Sequence, residues 1–175
     1  MNMNNHAIKS GLIVGVVGIV LTLVFYLIDP AILGSMWMLL LLVFFLFLVC
    51  YFGIQHRNEE GGFMSFGKAW GYSMQLLVIA GIVGTLFNIL LYNVIDPELP
   101  GIVADKAAEN AEAMMRRFGA PENQMDEGIE KARQDALDRT TVVGALTGFL
   151  WGLIFYAIIS LITGAIIKKQ EPESI

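Results

Sequence analysis

The feature that most constrains this chain is the run from Ala69 to Ile95, 27 consecutive positions without an Asp, Glu, Lys or Arg. As an α-helix it would reach roughly 40 Å against about 30 Å of bilayer hydrocarbon, so it can cross a membrane with some tilt. A single soluble domain is the wrong class for the chain as a whole. Of its 175 residues 56% are hydrophobic and only 15% charged, too few polar side chains to cover a water-facing surface of that size. Uncharged runs at residues 10–28, 36–54 and 140–167 extend the argument. The expected fold is all-α integral membrane, one membrane domain over residues 1–175. Its spans are 10–28, 36–54, 69–95 and 140–167, with an extramembrane helical insert at 96–139 between the third and fourth.

The leader and first run could also describe a signal peptide, but the run lacks an A-x-A-like cleavage site and stops at Asp29-Pro30. A retained first span is the better reading. The second run, LLLLVFFLFLV at its centre, is bulky on all sides and suits a lipid-facing helix, with Trp37 and Tyr51 near its two interfaces. The insert carries eleven acids and six bases, which equals the whole formal net charge of −5. Val103, Ala107, Ala111, Met114, Met115 and Phe118 recur at helical spacing before Gly119, and Met125, Ile129, Ala132 and Ala136 recur after Pro121. That pattern predicts an amphipathic helical hairpin. Its acidity argues against nucleic acid, which needs a basic footprint, and against tight adhesion to anionic lipid.

Small residues mark the expected packing surfaces. Gly144, Gly148 and Gly152 repeat every four residues in the last span, and Gly11, Gly15 and Gly18 lie along one flank of the first. Glycine there lets a neighbouring backbone approach, within the bundle or between copies of the chain. Gln75, Thr85 and Asn88 in the third span form a candidate polar path for a solute or ion, with ordinary interhelical hydrogen bonding as the alternative.

Reactive chemistry is hard to find. No phosphate loop and no Ser-His-Asp or Cys-His arrangement is recognisable, and no span contains an acid or base. Cys50 lies inside an apolar run and reads as a small hydrophobe. His6 and His56 are 50 positions apart in polar flanks without a neighbouring ligand cluster, so the reading assigns no catalytic residue, no metal site and no cofactor. Expected partners are the lipid bilayer and either a second copy or another membrane protein.

Four spans place both termini on one side. Lys9, Arg57, Lys68, Lys168 and Lys169 share that side, whereas the turn after Asp29 has no basic residue. By the positive-inside rule both termini are expected in the cytoplasm and the insert outside. FYLIDP closes the first span and YNVIDP the third, through duplication or through a shared need for an Asp-Pro helix stop.

AIKSGLIVGVV near the N-terminus, GGFMSFGKAWGYSMQ opening the third span and YNVIDPEL leaving it carry a resemblance. With the acidic insert before a glycine-bearing last span, the chain resembles the small bacterial membrane proteins of domain of unknown function 4199. The resemblance implies a four-span inner-membrane protein without an established activity, and it brings no catalytic or binding residues. The expected function is therefore that of a non-enzymatic accessory or structural membrane protein acting through helix packing and the acidic hairpin, with a small channel or transporter as the alternative.

Overall fold

The computed structural model describes residues 3–35 and 38–171. Positions 36 and 37, where the sequence starts the second span and places the interfacial Trp37, lie outside the described residues. The described residues form six α-helices: α1 (Met3–Ile28), α2 (Met38–Glu59), α3 (Phe66–Leu90), α4 (Leu99–Arg117), α5 (Glu122–Thr140) and α6 (Val142–Ile167). A 3₁₀ turn (Pro30–Gly34) follows α1, and a π-helical turn (Leu91–Ile95) continues α3. Four stretches are long and apolar enough to cross a bilayer: Asn5–Ile28, Leu40–Glu59, Phe66–Ile95 and Val142–Ile167. Large apolar side chains on them, among them Leu27, Phe47, Val143, Trp151 and Phe155, are exposed, as expected where the solvent is lipid. The protein is an all-α, multi-pass membrane protein.

Helices α1 and α2 run further than the apolar composition suggests. The polar leader forms the first turns of α1, and Gln55 to Glu59 complete α2. The chain reverses only at Gly61 and Gly62, with φ of +100° and +85°, a conformation open to glycine at little steric cost.

The chain divides into two compact units. The first comprises Met1–Gly18, Leu41–Gly84 and Phe149–Ile175. Its core gathers Ala7, Val14, Val49, Tyr72, Leu76 and Leu77. A Cβ at Gly11 would lie 2.7 Å from the Leu76 carbonyl oxygen, and one at Gly15 would lie 2.8 Å from the Val83 Cβ. The expected close approach is thus made by α1 against α3. Gly164 plays the same part on α6, where a Cβ would meet the Trp70 backbone nitrogen at 3.0 Å. At one end, Met64 and Lys169 exchange backbone hydrogen bonds of 2.9 Å each way, and Arg57 Nη1 donates to the Ile167 carbonyl at 2.9 Å.

The second unit comprises Ile19–Leu40 and Thr85–Gly148. Asp29 and Asp96 do the same work in it. Asp29 accepts from the Ala31 backbone N–H at 2.9 Å, and Asp96 Oδ1 accepts from Glu98 and Leu99, both at 3.1 Å, so each starts the next helical element. The Tyr26 hydroxyl donates to Asp96 Oδ2 at 2.9 Å, which ties the two echoing segments to one another. The π-helical turn is held by Asn93, whose amide donates to the carbonyls of Ile89 and Thr140, each at 3.0 Å. Beyond it, α4 and α5 pack as the predicted hairpin. Gly119 turns the chain at φ +70°, and the methyl end of Met115 seats where Gly128 has no side chain.

Two details of the hairpin differ from the helical spacing. Met114 and Phe118, read as part of the packed stripe, are exposed, Phe118 to 80%. The hairpin is also anchored by a contact with no sequence signature, the Asn110 amide donating to the Gly34 carbonyl at 2.8 Å.

Candidate functional site

The first unit buries a polar cluster near the N-terminal end of α1. Because α1 starts at Met3, His6 and Ser10 lie one turn apart on the same face. Because α2 continues to Glu59, His56 and Glu59 share its last turn. Tyr72 arrives from the second turn of α3. His56 and Tyr72 are wholly buried, and His6 is 6% exposed.

Hydrogen bonds engage one side of His6. The Tyr72 hydroxyl lies 2.8 Å from His6 Nδ1 and donates to Ser10 Oγ at 3.2 Å. Nδ1 is thus taken up inside the cluster, and Nε2 is the ring nitrogen left to face outward. That nitrogen faces Glu59 Oε2 at 3.7 Å, beyond the range of a hydrogen bond. The His56 ring stacks on both neighbours, 4.6 Å from His6 at 26° and 5.1 Å from Tyr72 at 16°.

His56 itself is the least satisfied group in the cluster. Neither ring nitrogen has a hydrogen-bond partner among the described residues, and the Glu60 carboxylate oxygen Oε1 is 3.5 Å from Nε2. A buried polar atom left unpaired costs about 1–3 kcal/mol, so such groups in a native fold call for an explanation. Arg57 Nε and Ser73 Oγ share this condition.

Ser10, His6 and Glu59 follow one another in the order of a nucleophile relay, but the geometry does not suit one. Tyr72 is closer to His6 Nδ1 than Ser10 is, 2.8 against 3.3 Å. Ser10 is also buried within a helix, where a substrate carbonyl has no approach. What the cluster offers is donor atoms: His6, His56 and Glu59 each present one ligand atom, all within 4.8 Å of one another.

The residues that the sequence singles out fall elsewhere. Gly11 and Gly15 lie against α3 as described, whereas of the α6 glycines Gly144 meets the end of α5, and Gly148 and Gly152 meet no other helix among the described residues. A Cβ at Gly144 would strike the Asp138 carbonyl at the α5–α6 corner, Gly148 has nothing within 4 Å, and Gly152 meets only Tyr156 of its own helix. Gln75 and Thr85 are half-buried and Asn88 is exposed. At 100° per residue Gln75 and Asn88 point about 140° apart around α3, so the three do not share one face.

Sequence reasoning missed the cluster because it placed both histidines in polar flanks and judged them by their separation along the chain. The usable signals were short: His6 four residues before Ser10, and His56 three before Glu59, both helical spacings if the flanks are helical.

Comparison with known proteins adds a family. A family model described as "Protein of unknown function (DUF4199)" matches residues 9–169. No curated protein and no solved structure matches the chain.

Proposed function

The chain belongs to the family described as "Protein of unknown function (DUF4199)", and from that premise we propose that it is a non-enzymatic accessory or structural protein of the bacterial inner membrane. It acts through its extramembrane hairpin, which engages another membrane protein or a second copy of the chain. The observation that carries this reading is the way residues 96–139 are held. A charged insert serving only as a solvated linker needs no fixed shape, yet α4 and α5 pack on each other and α4 is bonded to the 30–34 turn through Asn110. An Arg133–Asp105 ion pair of 2.8 Å joins the two arms, and Met114 and Phe118, at the C-terminal end of α4, are exposed. Exposed apolar residues on a rigid charged body suit protein docking better than lipid adhesion.

Orientation follows from charge. Lys9, Arg57, Lys68, Lys168 and Lys169 lie at the ends of spans on the side of both termini, which supports cytoplasmic termini and an extracytoplasmic hairpin. Docking is tested by photocrosslinking in living cells from positions Glu112 and Glu130. The expected result is a discrete adduct with one membrane protein or with a second copy. Loss of no phenotype on deleting residues 102–136, together with no adduct from either position, would refute the reading.

A further inference from the structure

We propose that His6, His56 and Glu59 form a binding site for one divalent transition-metal ion of the zinc class. The site joins the N-terminal end of α1 to the C-terminal end of α2.

Three observations converge on it. The first is the unmet chemistry of His56: its ring is wholly buried and both nitrogens lack a hydrogen-bond partner. A structural histidine in a core is normally placed to donate one hydrogen bond and accept another. A neutral imidazole with a free in-plane lone pair is a metal ligand.

The second is the His6–Glu59 pair. His6 Nε2 and the Glu59 carboxylate oxygen face one another at 3.7 Å, beyond the range of a direct hydrogen bond and with space for a cation between them. Two ligand bonds of about 2.1 Å at a tetrahedral angle hold their donor atoms about 3.4 Å apart, so the spacing needs only a small closure.

The third is the support behind His6. Metal-bound histidines characteristically donate their other ring N–H to an acceptor that fixes tautomer and orientation. The Tyr72 hydroxyl stands 2.8 Å from His6 Nδ1, placed to take that bond, and is itself bonded to Ser10 at 3.2 Å. Glu60 Oε1 lies 3.5 Å from His56 Nε2, outside the group of three donors that lie within 4.8 Å of one another.

The donor set selects the ion. Two imidazoles with one carboxylate favour zinc and its neighbours over magnesium or calcium, which take oxygen alone. Glu59 and Glu60 are partly exposed, so an ion reaches the buried nitrogens from their side. The site is independent of hairpin docking, because its residues belong to the first unit and the hairpin to the second.

The test uses the untagged full chain in mild detergent, stripped with a chelator and titrated with Zn²⁺ and, separately, with Co²⁺ as a spectroscopic probe. One ion per chain is expected, with visible d–d bands for Co²⁺ and no thiolate charge-transfer band. His6→Gln, His56→Gln and Glu59→Gln should each weaken binding by about 100-fold or more, and Tyr72→Phe by about 10-fold with the stoichiometry retained. Glu59 is partly exposed, so Glu59→Gln should leave the helix content and thermal midpoint of the stripped protein unchanged; it serves as the variant that separates lost binding from lost fold. Absence of stoichiometric binding to the folded wild type, or binding unchanged by His6→Gln and Glu59→Gln, would overturn the proposal.

Discussion

The two units of the molecule treat buried polar groups in opposite ways. In the second unit polar groups are used up: the buried Thr140 hydroxyl donates to the Leu137 carbonyl at 2.7 Å, the half-buried Asp96 accepts from two backbone N–H groups and from Tyr26, and the exposed Asn93 spends its amide on two carbonyls. In the first unit, His56, Arg57 and Ser73 hold the buried side-chain nitrogen and oxygen atoms without partners among the described residues. Polar residues that complete caps and bends serve the architecture. Polar residues left buried and unpaired disfavour folding, and they point to a ligand as the reason for their presence.

The contrast can be broken by substitution, starting with the packing that both kinds of polar group depend on. Gly11→Val should be the most damaging change, since its Cβ would press on the Leu76 carbonyl and the Ile79 side chain. We expect a loss of about 3 kcal/mol, at the upper end for overpacking, measured by denaturant unfolding in detergent. Gly148→Val is the counterpart on a surface open within the chain, where the expected change is within about 0.5 kcal/mol. A large loss there would mean that copies pack on the α6 ridge. In the second unit, Asp96→Ala removes a cap from the start of α4 and should cost about 1–2 kcal/mol, with faster proteolysis of the hairpin. Asn93→Leu should cost about 1–2 kcal/mol by stranding the carbonyl of Thr140, and amide exchange would show whether protection around Leu91–Ile95 falls. The smallest effect is expected from Arg133→Ala, whose ion pair with Asp105 lies at the surface; the melting curve should be nearly superimposable on that of the wild type.

Much of the architecture is legible in the amino-acid order, because a bilayer demands long uncharged helices and the chain can meet that demand in few ways. The four spans, the Gly119 turn and the approach of Gly11 and Gly15 to a neighbouring helix were each readable from local pattern. The glycines of α6 show the limit of such patterns: a repeat every four residues says that a surface is small, not whether a helix of this chain or of a second copy covers it. Gly144 is explained instead by the corner at Asp138. The histidine cluster was hidden for a different reason. Its members come from three helices, and their meeting depends on α1 and α2 remaining helical through polar flanks where hydropathy has no signal. Residue types alone also could not reveal that the Tyr72 hydroxyl would take one side of His6 and leave the other facing a carboxylate.

With the proposed metal site, the polar interior of the first unit is shaped for a ligand rather than for stability. The most direct test replaces the unpaired ring with an apolar side chain and compares unfolding of His56→Leu and wild type, each with chelator and with saturating Zn²⁺. The account predicts that, with chelator, His56→Leu is at least as stable as the wild type, because an unpaired buried imidazole is removed, and that Zn²⁺ raises the midpoint of the wild type alone. A variant clearly less stable than wild type under chelator, with no effect of Zn²⁺ on either protein, would contradict it.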